Sequence, residues 1–210
     1  MDYNGKTNLI VSTCIEESWN VKSRHFFLGE WCRTLNNDKK INNLDHSFHK
    51  YHWADAKKVK LDEAYIKDLN NRLIPVLKDN LNIIHKETYN DEFWNIILGY
   101  WLLSFSTILF DKWETVRTFI KKKTNYKSII FNYQNSIFIP ENIEHFFRLR
   151  QTDIYHHYLF SEVLKYFSKN PDFSIDLKFI DYPVEESVVQ KHFKSQSIFF
   201  HKFKKNIIEI

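Results

Sequence analysis

The sequence predicts an α/β fold, an open sheet carrying long helices, and three observations predict it. Short apolar, β-branched runs of strand length occur near the start of the chain and again past its middle. Between and after them lie segments whose apolar residues repeat at helical spacing. Three glycines and four prolines in 210 residues, with 17% aromatic residues, exclude a collagen-like or disordered chain.

The first strand is expected over "TNLIVST", Thr7 to Thr13, and the second over "RHFFLGE", Arg24 to Glu30. The loop between them, Cys14 to Ser23, belongs at the carboxyl end of a strand, where open α/β sheets hold their ligands. The second strand is therefore expected to lie parallel to the first, although Cys14 to Ser23 barely supplies the dozen or more residues that a parallel crossover normally needs, so an antiparallel pair is the alternative. From Ala64 to His85, Tyr65, Ile66, Leu69, Leu73, Val76, Leu77, Leu81 and Ile84 mark an amphipathic helix, kinked or restarted near Pro75.

A second long helix is expected from Glu92 to Lys122, with Asp91 as N-cap and Lys121, Lys122 and Lys123 at its end, where cations suit the helix dipole. The competing use of that lysine run is a phosphate or lipid-headgroup patch. The core of this helix, "FWNIILGYWLLSFSTILF" from Phe93 to Phe110, approaches the ~20 residues that span a bilayer. Asn95, Gly99, Ser104, Ser106 and Thr107 within it, and Asp111 and Lys112 closing it, favour a buried helix over membrane insertion. "KSIIFN", Lys127 to Asn132, reads as a third strand. Thr152 to Ser168 reads as a helix striped by Tyr155, Leu159, Val163 and Phe167 and stopped by Asn170 and Pro171. "SIDLKFIDYP" alternates like a strand, and Lys191 to Ile210 fits either a helix or a frayed end.

Composition narrows the class. With 43% hydrophobic and 27% charged residues, the chain is expected to form one globular domain over residues 1–210. Thirty basic against 26 acidic residues give +4, too mild and too evenly spread to imply a nucleic-acid partner. Cys14 and Cys32 do not amount to a disulfide framework, and the apolar run Leu9–Val11 is too short for a secretory signal, so a reducing cytoplasm is expected.

Among chemistry-bearing groups, His46, His49 and His52 stand three apart, but on a helix they spread around the circumference and no CxxC or HExxH accompanies them. No metal is implied. GxGxxG, GxxxxGK[ST] and GxSxG are all absent, so no dinucleotide or P-loop cofactor is implied either. Paired carboxylates remain: Glu16 and Glu17 in the first loop and Glu30 after the second strand. Desolvation beside Trp19 or Trp31 would fit one of them for acid–base work, while the plainer alternative is favourable charge at a helix start. His156 and His157 are adjacent and point to different faces of their helix, so one at most faces a cleft, and His157 is taken as that one.

Taken together, "STCIEESW", "FFLGEWC" and "YHWAD" resemble the N-terminal part of a family of transferases found in bacterial surface-polysaccharide and O-antigen gene clusters. Leu98 to Leu102, Leu109 to Trp113 with Arg117 nearby, and "DIYHHYLF" from Asp153 to Phe160 correspond to later motifs, so the resemblance covers about residues 8 to 165. It departs where Lys112 stands for an arginine, Ala54 for an aspartate, and Tyr155 and His156 for Trp and Asn. Lysine cannot reproduce arginine's bidentate fork.

The resemblance implies a Rossmann-like open sheet, like the N-terminal domain of a two-domain, GT-B-like glycosyltransferase whose members continue into a nucleotide-sugar-binding half. The chain is therefore expected to be the acceptor-side half of a longer enzyme, inactive by itself. The first loop then looks like a site loop. Thr13, Trp19, Trp31, Trp53 and Arg117 would hold a sugar or nucleotide-sugar substrate, with Glu16, Glu17, Glu30, His52, Asp153 and His157 as hydrogen-bond partners or as a base. Core filling is the alternative for each tryptophan. The implied partners are a C-terminal domain or a separate catalytic chain, with peripheral contact at the inner face of the membrane. The rival class is a non-catalytic binding or scaffolding module, or a truncated relic.

Overall fold

The structure, a computed structural model, describes residues 7–19, 22–133 and 135–182. Five strands, β1 (Asn8–Val11), β2 (Arg24–Phe27), β3 (His46–Phe48), β4 (Asn125–Asn132) and β5 (Ser174–Asp181), form one sheet in the order β3-β2-β1-β4-β5. Every pairing is parallel, including β1 with β2, where Asn8 faces Arg24 and Val11 faces Phe27. The dozen residues a parallel crossover needs are supplied by the stretch from Ser12 to Ser23, whose described residues include a 3-10 turn at Glu16–Ser18. The expected Rossmann-like open sheet is what the chain forms.

Among the described residues five α-helices complete it: α1 (Asp38–Asn42), α2 (Ala56–His85), α3 (Asp91–Phe119), α4 (Ile143–Leu149) and α5 (Asp153–Ser168). α2 starts eight residues before its apolar periodicity does, because the Asp55 side chain caps it by accepting from the Lys57 N–H. It runs unbroken through Pro75 rather than restarting there, and ends at Lys86, a left-handed C-cap with φ 57°. α3 is capped by Asn90, not Asp91, and ends at Phe119, so the triple lysine follows the helix. β3, α1 and α4 add to the elements the sequence predicts; His46–Phe48 is too short and too polar to show a strand period. The segment 191–210 lies outside the described residues.

Alternation along the strands divides the core. Ile10, Ile130 and Ile175 turn to the face covered by α3 and α5, where they meet Val116, Phe160 and Phe167. Leu9, Val11, Phe27 and Phe131 turn to the opposite face, covered by Trp19, Ile41 and Cys32. A third cluster joins Phe146 and Leu149 of α4 to Tyr155 and Leu159 of α5, with Trp101 and Phe105 of α3 packed against it.

α2 and α3 form a long antiparallel hairpin, tied near its tip by Trp94 Nε1 donating to Asn82 Oδ1 at 2.8 Å, and midway by Ser106 donating to Asn70 at 2.8 Å. Here the buried-helix expectation needs correction. α3 is long and apolar enough to cross a bilayer by length and composition, yet 17% of its most apolar window is buried within the chain. Trp94, Leu102 and Ser106 face inward, whereas Ile96 (75% exposed), Ile97, Tyr100 and Leu103 face out, as do Ile83 (78%) and Ile84 of α2.

This division of roles predicts opposite costs. Phe27→Ala, which empties a site ringed by Trp19 and Phe48, lowers unfolding free energy by about 3–5 kcal/mol in urea denaturation. Ile96→Ser, on the exposed face, changes it by no more than about 0.5 kcal/mol; a core-sized loss there would place that face inside the fold.

Candidate active site at the carboxyl edge of the sheet

Strand order reverses between β1 and β4: the chain moves outward through β2 and β3 on one side and through β5 on the other. Loops leaving β1 and β4 therefore diverge, opening the crevice in which open α/β sheets place ligands. The loop after β1 meets the start of α5 there, where Cys14 Sγ donates to Asp153 Oδ2 at 3.1 Å. Burial and then the Asp153 carboxylate push the Cys14 thiol up to about 12, so it stays protonated as a donor. Thr13, next to it, is fully buried, and its hydroxyl has no hydrogen-bond partner in the structure.

Trp31, after β2, is the next wall. Its Nε1 donates to the Ser12 carbonyl at 2.9 Å, which fixes the indole across the end of β1. The glycine of "FFLGEWC" has a steric reason: a Cβ at Gly29 would lie 2.1 Å from the Trp31 ring. Glu30 is exposed and pairs weakly with Arg33 at 3.8 Å.

From the loop after β3 come Tyr51, His52 and Trp53, which meet a charged stretch of α3. Asp111 Oδ1 accepts from the Tyr51 hydroxyl at 2.9 Å and pairs with His52 Nε2 at 3.1 Å, while Oδ2 accepts from Lys112 Nζ at 2.7 Å. Burial pushes the Asp111 carboxyl up, but His52, Lys112 and Tyr51 together outweigh it and hold the group below its ordinary value. Tyr51, desolvated beside that carboxylate, is pushed the other way. The Lys112 ammonium also lies over the rings of Trp31 at 5.5 Å and Phe160 at 4.9 Å, so it is enclosed by one carboxylate and two aromatic faces.

Behind this group the charges continue. Asp62 accepts from Trp53 Nε1 at 2.9 Å and from Lys58; Lys58 reaches Glu114 at 2.7 Å; Arg117 grips Glu114 with two bonds of 2.5 and 2.7 Å. Three carboxylates thus face three cations across the base of the hairpin. Burial opposes ionisation of Glu114, but Arg117 and Lys58 prevail and bring its carboxyl down to about 2.

The predicted site residues divide accordingly. Thr13, Trp31, His52 and Asp153 gather at the carboxyl edge. Trp53 and Arg117 belong to the charge network behind it. Glu16 pairs with Lys40 at 2.5 Å on the half-exposed 3-10 turn, and Glu17 is exposed on the same turn. Trp19 is buried edge-on against Phe27, its Nε1 3.4 Å from the Thr13 carbonyl oxygen. His157 lies in the core, stacked on Phe131 and bonded to the Tyr133 hydroxyl at 2.7 Å, and burial pushes its imidazole down to about 4. The three histidines spaced three apart find separate partners, Leu44, Thr118 and Asp111, and no group of three metal-ligating side chains occurs among the described residues.

Residues that the sequence reading did not place in the site are Cys14, Tyr51, Asp111 and Lys112. The signal for the acidic–basic pair was present: two charges set directly against eighteen mainly apolar residues, in a helix that continues beyond them, must either be exposed or be paired in the interior.

A family model described as LIC12162 family transferase matches residues 8–210. No curated protein and no solved structure matches the chain.

Two outcomes follow from the charge geometry. Asp111→Asn leaves Lys112 buried without its counter-charge and costs about 3–5 kcal/mol, whereas Glu16→Ala, breaking a half-exposed pair, costs less than about 1 kcal/mol; urea denaturation of both variants checks this, and a loss above about 2 kcal/mol for Glu16→Ala would make that carboxylate a structural cap. The second concerns pH. Because the Glu114 carboxyl sits lower in the folded chain than in the unfolded one, its contribution is complete above about 4.5 and disappears as pH falls toward about 2. Stability measured across that interval falls less steeply in Glu114→Gln than in the parent chain.

Proposed function

The chain belongs to the LIC12162 family of transferases, and from that premise we propose that it is the acceptor-side part of a glycosyltransferase acting in bacterial surface-polysaccharide synthesis. The observation that carries this reading is the convergence of the loops after β1, β2 and β3 on the carboxyl edge of a parallel sheet, beside the point where strand order reverses. An aromatic wall formed by Trp31 and Tyr51, their rings 5.5 Å apart and edge to face, suits the apolar face of a sugar ring. Hydroxyls of an acceptor sugar would meet Thr13, His52 and Asp153, with Glu30 at the rim. Glu16, Glu17, Trp19, Trp53 and His157 lie further out or deeper, and their expected contribution is to hold the loops that carry the site. Arg117 fixes Glu114 and through it the hairpin base.

A cytoplasmic setting at the inner face of the membrane, and a nucleotide-sugar donor held by a C-terminal domain or a separate chain, complete the proposal. A second reading, a module that docks a catalytic partner, is favoured by the exposed apolar side of the hairpin at Ile83, Ile84, Ile96, Ile97 and Tyr100.

Deletion of the gene separates the two classes. Under the proposal, lipopolysaccharide or capsule from the deletion strain, run on a gel, lacks or shortens its repeat ladder, and the intact gene restores it. An unchanged ladder would reject the assignment. Loss of the ladder that Trp31→Ala and His52→Ala chains, folded by thermal melting, fully restore would favour the docking module instead.

A further inference from the structure

The α2–α3 hairpin has two unlike backs. On α2, Ile66, Asn70 and Ile74 turn toward α3, and the opposite side carries Asp68, Arg72 and Asp79, the first two paired in solvent at 3.0 Å. On α3, Trp94, Leu102 and Ser106 turn toward α2, and the opposite side carries Ile96, Tyr100, Leu103 and Thr107 at helical spacing. Ile96, Tyr100 and Leu103 are exposed, and Asp, Glu, Lys and Arg are all absent from Phe93 to Phe110. The apolar surface continues onto α4. Phe147 packs on Tyr100 with ring centres 5.3 Å apart, Ile143 one turn before it is exposed, and the Arg150 guanidinium lies 4.3 Å from the Phe147 ring centre.

We propose that this face, α3 from Ile96 to Thr107 with Ile143 and Phe147 of α4, seats the chain on a phospholipid bilayer, with α3 lying in the membrane plane at the boundary between headgroups and acyl chains. The inference gives a contact surface to the membrane-side setting proposed above, and rests on that reading only for which membrane is met.

The shape and chemistry of the face select a bilayer over a second copy of the chain. A stable protein interface takes about 20–30 residues a side, and this face is a strip one helix wide with the edge of α4. Paired helices set their register with charges that flank the apolar seam, whereas α3 has none from Phe93 to Phe110. Tyr100 offers an apolar ring with a polar tip, the form that suits the headgroup level, and Arg150 offers a guanidinium for a lipid phosphate.

The partner helix decides the orientation. Trp94 and Ser106 are bonded to Asn82 and Asn70, so α3 cannot cross the bilayer without drawing Asp68, Arg72 and Asp79 of α2 into hydrocarbon. Lying flat, the hairpin keeps that charged back in water. Apolar insertion is what holds it there, because at the tip Lys78 and Lys86 are outnumbered by Asp79, Glu87, Asp91 and Glu92 and give acidic headgroups no attraction.

Vesicle flotation of the full chain tests this. The lipid is phosphatidylcholine alone, in about 0.5 M salt, so that neither the net charge of the chain nor acidic lipid contributes. The parent chain floats with the vesicles. Ile96→Ser, Tyr100→Ser and Leu103→Ser combined weaken its binding by about tenfold or more, while Asp79→Asn on the opposite back leaves binding unchanged. If the triple variant melts well below the parent, Ile96→Ser alone replaces it, with an expected loss of about fivefold. A parent chain that stays with the free protein overturns the proposal, and sedimentation velocity then identifies the cover: a dimer that the substitutions dissociate assigns the face to a second copy, and a monomer assigns it to other residues of the chain. Binding that the substitutions leave intact overturns it as well, as does binding that appears only with added phosphatidylglycerol at low salt. Association that resists alkaline carbonate makes α3 a spanning helix and overturns the in-plane seat. The deletion strain reports separately: unchanged polysaccharide removes the glycosyltransferase reading and leaves the membrane surface standing, whereas a shortened ladder from a chain that ignores vesicles removes this inference alone.

Discussion

A carboxylate inside a long helix, Asp111, is the constraint on which the arrangement depends. Buried with no counter-charge it would be unaffordable to the fold, and it is stabilised only by three donors that arrive from different parts of the chain: Tyr51 and His52 from the loop after β3, and Lys112 beside it. Satisfying it fixes the β3 loop against α3. Lys112, held by Asp111, in turn reaches the rings of Trp31 and Phe160 and so links the β2 loop to α5. Four elements distant in sequence are placed relative to one another by one ionised group, and the candidate site lies among them.

The division of the α2–α3 hairpin follows from the same interaction. At its base, Lys58, Asp62, Glu114 and Arg117 extend the polar network and hold both helices to the domain. Toward its tip the polar ties are single ones, Lys78 to Asp91 and Trp94 to Asn82, each at 2.8 Å, and Trp94, Leu102 and Ile74 zip the two helices together over a narrower apolar seam. α3 therefore has more apolar surface than one neighbouring helix can cover. Its composition resembles that of a fully enclosed helix, while its surroundings enclose only part of it.

Much of the fold was legible because its signals are local. β1, β2, β4 and β5 follow from β-branched or alternating runs, and α2, α3 and α5 from apolar periodicity. Thr13, Trp31, His52 and Asp153 were legible as site candidates from the motifs that contain them. What escaped notice depends on tertiary placement. β3, only three residues long, exists because β2 offers it an edge. That His157 lies in the core depends on how α5 is rotated against the sheet, and no local pattern encodes that rotation. Asp111 and Lys112 looked like the boundary of an apolar segment because sequence shows that two charges are adjacent but not that Tyr51 and His52, some sixty residues earlier, come to meet them. Trp19 and His157 look identical, in sequence, to aromatic and basic groups at a crevice, yet the turn that ends at Trp19 and the rotation of α5 about its axis direct them into the core.

The position of β1 in the sheet also sets the order in which the protein can be assembled as it is synthesised. One neighbour, β2, follows almost at once, but the other is β4, and Asn8 and Asn125, bonded across that junction, are 117 positions apart. At about 5–20 residues per second on the ribosome, the second edge of the central strand waits on the order of ten seconds for its partner. Throughout that interval Leu9, Ile10 and Val11 present an unpaired, apolar strand edge, the kind of edge that recruits foreign chains. The long excursion through α2 and α3 is thus also a delay, and the nascent chain is most exposed to misassembly at the strand that will later be the most enclosed.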